Sequence, residues 1–368
     1  MKPTEMQTNE GAKIIWHKQR RGRKKRITLI VLLVFIAIIG IAVSTFFIVR
    51  QVGKSALYKK TASASMNMIT EETLDDYDPD AVKYKGGIYH YNKDIITFLV
   101  MGIDKYEPVN RNLPQNIDYR QGGQADALFL VSADPHTKRI FVIGINRNAL
   151  APVEVYSKTG QYLSTQMEAI SLQHGFGTGL EDSCERQVRA VSELFYNLPI
   201  SGYAAINMGV FSKINDAVGG VELELLEQIP GASALLNQPV GTRVTLKGKD
   251  AFDYVHERDT EEFNSANKRL ERQKQYINAF IPKAIAQVKA DAGFVVELYN
   301  IVSKYMVTDV SLSQVVYLAS EMLGYTVDPE IRSLEGEMVL DSDGFEKYHV
   351  DDDALYDLIM ELYYEQVG

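Results

Sequence analysis

The chain has 368 residues, a net charge of −9, 46% hydrophobic and 24% charged residues, and a single cysteine. One thiol cannot form an internal disulfide, so the fold must rest on an apolar core. Residues 1–50 hold ten Lys/Arg against two Asp/Glu (+8), leaving −17 for the rest, which excludes nucleic-acid binding through general charge there.

In chain order, residues 1–26 read as a basic cytoplasmic tail ending in KQRRGRKKR. Residues 27–49 are 23 uncharged residues, ITLIVLLVFIAIIGIAVSTFFIV. At about 1.5 Å per residue they span a bilayer of roughly 30 Å as one transmembrane helix. The run is too long for a signal-peptide core and lacks a small-residue cleavage site after it, so it reads as a signal anchor. The basic block before it places the N-terminus inside and the bulk of the chain outside the cell membrane. Residues 50–92 are polar and read as a stalk, helical toward residue 73. Residues 93–368 read as an extracellular α/β domain with a single mixed central sheet flanked by helices.

That domain opens with three apolar strands, each with a charge at one tip. Residues 96–102 end at Asp104, Asp126 heads residues 127–133, and Arg147 stands past residues 139–145. Asp134-Pro135 opens a turn between the second and third strands. If residue 134 faces 139, paired positions sum to 273 and Asp126 faces Arg147. With the first strand parallel to the third, Asp104 reaches the same edge, where α/β sheets bind ligands. Solvated strand-end charges fit the same pattern.

Further on, residues 154–163 read as a loop or hairpin around Thr159-Gly160, and 164–174 as a helix. Residues 180–198 form an amphipathic helix with Val188, Val191, Leu194 and Phe195 on one face. Cys184, without a neighbouring His or Cys in the motif regions, reads as a buried structural thiol. A strand at 203–206, a helix at 208–218 closed by Gly219-Gly220 and a strand at 221–226 follow. Residues 249–255 read as a short helix leading to His256, Arg258 and Asp259. Ser265 is expected to cap a helix running to Pro282, with Leu270, Ile277, Phe280 and Ile281 as its core stripe. Arg269, Arg272 and Gln273 share one face of it, either as a solvated basic face or as an anion grip.

Together these stretches resemble the LytR-CpsA-Psr family from about Asp94 to the C-terminus. The resemblance rests on GID at 102–104, Asp126, Arg147, NMGVFSKINDAVGGVEL at 207–223, KGKDAFDYVHERD at 247–259, RLERQ at 269–273 and YMVTDVSLSQVVYLASEM at 305–322. It implies a membrane-anchored phosphotransferase of cell-wall biogenesis. Such an enzyme attaches a polyprenyl-pyrophosphate-linked glycan, of teichoic acid or capsule type, to peptidoglycan. Asp104 and Asp126 are then expected to hold Mg²⁺. Arg147, Arg258, Arg269 and Arg272 are expected to cradle the phosphoryl oxygens with Gln273 orienting them, and Gln124 and His256 to border the substrate. The polyprenyl tail is expected in an apolar tunnel.

The chain departs from the family pattern in four places. Gln124 stands for an Arg, Asn148 for an Asp after Arg147, His256 for the first Arg of an Arg-x-Arg pair, and Gln166-Met167-Glu168 for a Lys-x-Asn. These losses leave open a catalytically weakened paralogue that binds polyprenyl phosphate as a regulator or scaffold.

Overall fold

The computed structural model describes residues 50–55, 81–114, 116–229, 231–342 and 344–367. The basic tail, the membrane span and residues 56–80 of the expected stalk lie outside them. Among the described residues no helix is long and apolar enough to cross a membrane.

Ala81–Tyr84 (β1) and Gly87–Tyr91 (β2) form a hairpin. These residues were expected in the stalk but belong to the folded domain. The polar alternation of a two-faced hairpin is easily read as linker. Ile96–Ile103 (β3), Ala125–Asp134 (β4) and Arg139–Ile145 (β5) come next. A second hairpin, Leu150–Tyr156 (β6) and Tyr162–Ala169 (β7), leads to one turn of helix, Leu172–Gly175 (α1), then Glu181–Leu194 (α2). Gly202–Asn207 (β8) is followed by Phe211–Ala217 (α3), Val221–Glu224 (β9) and Arg243–Leu246 (β10). Gly248–His256 (α4) and the 26-residue Ser265–Ala290 (α5) precede Phe294–Ser303 (α6), Met306–Thr308 (β11) and Leu312–Met322 (α7). Thr326–Val327 (β12), Arg332–Ser333 (β13), Gly336–Leu340 (β14), Glu346–Val350 (β15), Asp352–Tyr363 (α8) and Tyr364–Gln366 (β16) complete the order.

The central sheet is mixed, seven strands in the order β11-β8-β3-β4-β5-β12 with β13 also on β5. This is the α/β sheet expected, with four small satellite sheets added, among them β1-β2-β16. Leu128 faces Ile145 and Asp134 faces Arg139, the register that sums to 273. β3 is antiparallel to β4, as β4 is to β5, so β3 and β5 run the same way and their ends meet one edge. Side chains alternate across β4. Leu128 and Leu130 join the main core with Val191 of α2, Phe195 just past its end, and Ile359 and Met360 of α8. Phe129 turns to the opposite face and packs with Val142, Ile331 and Leu270 of α5.

Three expected elements come out differently. Residues 164–169 are strand, not helix, because β7 pairs with β6 and leaves much of its length exposed, so no apolar stripe disciplines its period. Gln166-Met167-Glu168 therefore stand on a hairpin. The long helix runs through Pro282, which lacks the N–H for the carbonyl of Asn278, and continues to Ala290. Asn264, at φ 64°, is its N-cap residue, and Ser265 is the first helical residue rather than the cap. The Ser265 hydroxyl instead accepts a hydrogen bond from Arg258 Nη1 at 2.9 Å.

Candidate active site

The register of β4 and β5 delivers Arg147 to Asp126 at the sheet edge. Arg147 Nη1 lies 2.5 Å from Asp126 Oδ1. On the other side, Arg269 of α5 places Nη1 3.3 Å from Asp126 Oδ2 and Nη2 3.3 Å from the Asp126 carbonyl oxygen. One carboxylate thus sits between two guanidiniums.

Gln124 ties this group to Asp104. Its side-chain oxygen accepts from Arg147 Nη2, and its backbone N–H donates to Asp104 Oδ1 at 2.6 Å. The departure from the family's Arg therefore has a physical use, because an acceptor here steadies Arg147 where a second cation would repel it. Gly123, at φ +81°, is required beside it: a Cβ would stand 2.7 Å from Asp104 Oδ1.

The charges feel one another. Burial, then the Asp126 charge, raise the Asp104 pKa against the Gln124 N–H, Arg147 and Lys105. Burial lowers the Arg147 pKa, and Arg258 lowers it further while Asp126 opposes. Burial pushes Arg269 down to about 10, with Asp126 opposing and Arg147, Arg258 and Arg272 adding to the shift. Arg269 is thus within electrostatic reach of the other three arginines singled out in the sequence. Arg147, Gln124 and Arg258 line a cleft of about 920 Å³. Asp104 opens on a second cavity, of about 660 Å³, with Lys105, Tyr106 and Asn207.

Arg272 and Gln273 are not brought to the strand tips. The last carbonyls of a helix lack intrahelical donors, and here α5 supplies them to α4. Arg272 donates to the carbonyls of Tyr254 and Glu257, Gln273 to Val255 at 3.0 Å, and Arg269 to His256 at 3.4 Å. Arg272 Nε also lies 2.7 Å from the Glu227 carboxylate. It faces a cavity of about 440 Å³ of mixed charge, where Glu227, Glu257, Asp259 and Glu262 stand among Arg258, Lys268 and Arg272 itself. Arg269, at 4% exposure, and Arg272, at 1%, are not a solvated basic face. His256 also departs from the expected substrate border: its ring stacks on Phe252 at 4.6 Å and its Nδ1 lies 3.1 Å from Glu257 Oε1.

Sequence reasoning missed Lys105, whose Nζ donates to the Gln121 carbonyl at 2.5 Å beside Asp104. It also missed Tyr106, 54% exposed at the wall of the Asp104 cavity, whose pKa is raised by partial desolvation and then by Glu257, Asp104 and Asp126. Their position directly after Asp104 was the available signal. Gly209 of the NMGV motif lets the chain pass Tyr106, since a Cβ there would stand 1.8 Å from the Tyr106 carbonyl oxygen.

Cys184 is buried as expected, but it does have a histidine neighbour. Its Sγ lies 3.8 Å from His174 Nε2. His174 Nδ1, 3.0 Å from the Gly123 carbonyl, must donate there, so Nε2 is the acceptor. Burial pushes the thiol pKa up and the imidazole pKa down to about 4, which makes this an inert neutral pair.

Among the described residues no group of three or more His, Cys, Asp or Glu is placed to hold a metal ion. The tips offer two carboxylates. That donor set suits a Mg²⁺ ion completed by phosphate and water rather than a closed protein cage. Asp126 Oδ1 is already paired with Arg147, so Asp104, open to the second cavity, is the carboxylate with room for the ion.

Comparison with known proteins supplies relatives. The LytR_cpsA_psr family matches residues 54–362. The polyisoprenyl-teichoic acid–peptidoglycan teichoic acid transferase TagU of Oceanobacillus iheyensis is 25% identical over 326 residues, 87% of each chain. TagU of Bacillus subtilis is 24% identical, covering 92% of this chain and 96% of its own. A solved structure described as TagT bound to LI-WTA has a TM-score of 0.53 at 18% identity, covering 82% of this chain and 96% of its own, a likeness of fold.

Proposed function

The chain belongs to the LytR_cpsA_psr family, and on that premise we propose that it is a transferase joining a polyprenyl-diphosphate-linked glycopolymer of teichoic acid type to peptidoglycan. Support comes from relatives named as teichoic acid–peptidoglycan transferases over most of their length. The observation that carries the reading within this chain is the meeting of Asp126, Arg147 and Arg269 at one sheet edge.

In this reading a peptidoglycan hydroxyl attacks the phosphorus that bears the glycan. A new P–O bond forms, the bond to the bridging oxygen breaks, and polyprenyl phosphate leaves with the electron pair. The hydroxyl proton passes to a strand-tip carboxylate and then to water. Arg147 and Arg258 line the cleft and bind the phosphoryl oxygens by charge-assisted forks, which strengthen as charge gathers in the transition state. Arg269 holds Asp126 in place from behind. Asp126 and Asp104 would hold Mg²⁺, which would neutralise charge on the diphosphate when bound. Arg272 and Gln273 position the loop that carries Arg258 by capping α4.

A cavity of about 610 Å³ bordered by Ile281, Ile285, Leu323 and Tyr325 lies beside β12, at the Arg139 end of β5 and away from Arg147, so it does not reach the strand tips. Residues 27–49 are assigned to the membrane with the N-terminus inside, on hydropathy and the basic block alone.

The test is reconstitution of the full chain in liposomes with a polyprenyl-diphosphate-linked glycan and purified peptidoglycan. Covalent glycan on the peptidoglycan, abolished by EDTA and restored by Mg²⁺, is the expected result. No transfer in any divalent cation would refute the reading.

A further inference from the structure

The cleft at Arg147 extends well beyond the strand tips, and its chemistry changes along the way. Arg147 and Arg258 are its cationic part at the strand tips, while on the outer wall Lys347 is paired with Asp341 and Glu346 accepts from the Asn264 N–H. Its other walls come from β7, the loop between α4 and α5, and the β14–β15 hairpin, and carry Glu168, Glu261, Phe263 and Phe345. Phe263 is 55% and Phe345 71% exposed, a large apolar area to leave in water around a polar opening. Glu262 pairs with Lys268, whereas the carboxylates of Glu168 and Glu261 enter no ion pair among the described residues. Flat apolar faces beside hydrogen-bond acceptors match a sugar, which offers an apolar C–H face and a rim of hydroxyl and amide donors.

Charge decides which sugar. Uncompensated carboxylates on the outer walls repel a polymer that carries a phosphate at every repeat, while the arginines accept the single phosphoryl group being transferred. From this we infer that the outer cleft seats the acceptor: a β-1,4-linked N-acetylamino-sugar strand, stacked on Phe263 and Phe345 and hydrogen-bonded by Glu168 and Glu261, its reactive hydroxyl directed at Arg147. The inference rests on the transferase reading for the identity of that hydroxyl, but the binding stands independently of turnover.

The experiment compares the full chain in detergent with the Phe263→Ala/Phe345→Ala and Glu168→Gln/Glu261→Gln variants. Calorimetric binding of a β-1,4-linked N-acetylglucosamine tetrasaccharide is measured, together with KM for peptidoglycan and affinity for the lipid-linked donor. The aromatic variant is expected to weaken tetrasaccharide binding and raise the acceptor KM by tenfold or more, with donor affinity unchanged. The carboxylate variant is expected to move the same two quantities by a smaller factor. Unchanged acceptor values with weakened donor affinity would overturn the assignment and give the cleft to the donor glycan. Transfer by the wild type with all values unchanged in the variants would overturn it outright. Tetrasaccharide binding that the aromatic variant loses, in a wild type that transfers nothing, would sustain the cleft and defeat the transferase reading instead.

Discussion

Arg147 and Arg272 are the same side chain, each beside a carboxylate, the first half-buried and the second buried, yet they do opposite work. Arg272 spends its donors inside the protein, on two carbonyls that end α4 and on Glu227. Arg147 shares its two terminal nitrogens among the side chains of Asp126, Gln124 and Ser171, and it lines a cleft. A guanidinium spent on main-chain carbonyls specifies structure, and one held among side chains at a cavity wall stands where an anion can reach it.

The largest effect expected from that contrast is on stability. Arg272→Ala strands the Glu227 carboxylate and two helix-end carbonyls, and should cost about 3–5 kcal/mol in urea unfolding. A loss under 1 kcal/mol would break the contrast from the structural side. Arg147→Lys keeps the charge and drops the fork. It should slow transfer by about 10²–10³-fold with little change in the unfolding midpoint, read by steady-state assay beside the melt.

How much of this was legible differs between the two regions. The strand-tip group followed from counting: a proline-marked turn fixed the 134–139 register, and a period of two carried it to Asp126 and Arg147. The α4–α5 clamp was half legible. Spacing placed Arg269, Arg272 and Gln273 on one face, but spacing cannot say whether a face meets a phosphate or the carbonyls of another helix end. That distinction depends on tertiary placement of α4, which the sequence leaves unmarked. The β6–β7 hairpin was misread for a related reason, since an exposed satellite hairpin has no buried stripe to set its period.

The support behind the strand tips sharpens the comparison through pH. His174 donates to Gly123, next to Gln124, and burial holds its pKa near 4 against an ordinary 6.5. The unfolded chain therefore takes up a proton first as pH falls through 6.5, and stability declines down to about pH 4. This contribution is roughly 3 kcal/mol at 1.36 kcal/mol per unit. Urea titrations at pH 7 and pH 4.5 should show the loss in the wild type and a smaller one in His174→Gln. Equal losses would assign the acid sensitivity elsewhere. Smallest is Gln273→Ala, which leaves the Val255 carbonyl without its donor and should cost about 1–2 kcal/mol. Transfer per folded molecule should fall little, and a loss as large as that of Arg147→Lys would move Gln273 to the substrate side.

The strand-tip claim is tested most directly by Asp126→Asn in the full chain, folded by circular dichroism, with release of polyprenyl phosphate from the lipid-linked donor as the readout. Release lost in the variant and present in the wild type is the predicted result. Equal release from both would contradict the account, because the carboxylate held between Arg147 and Arg269 would then have no part in the transfer.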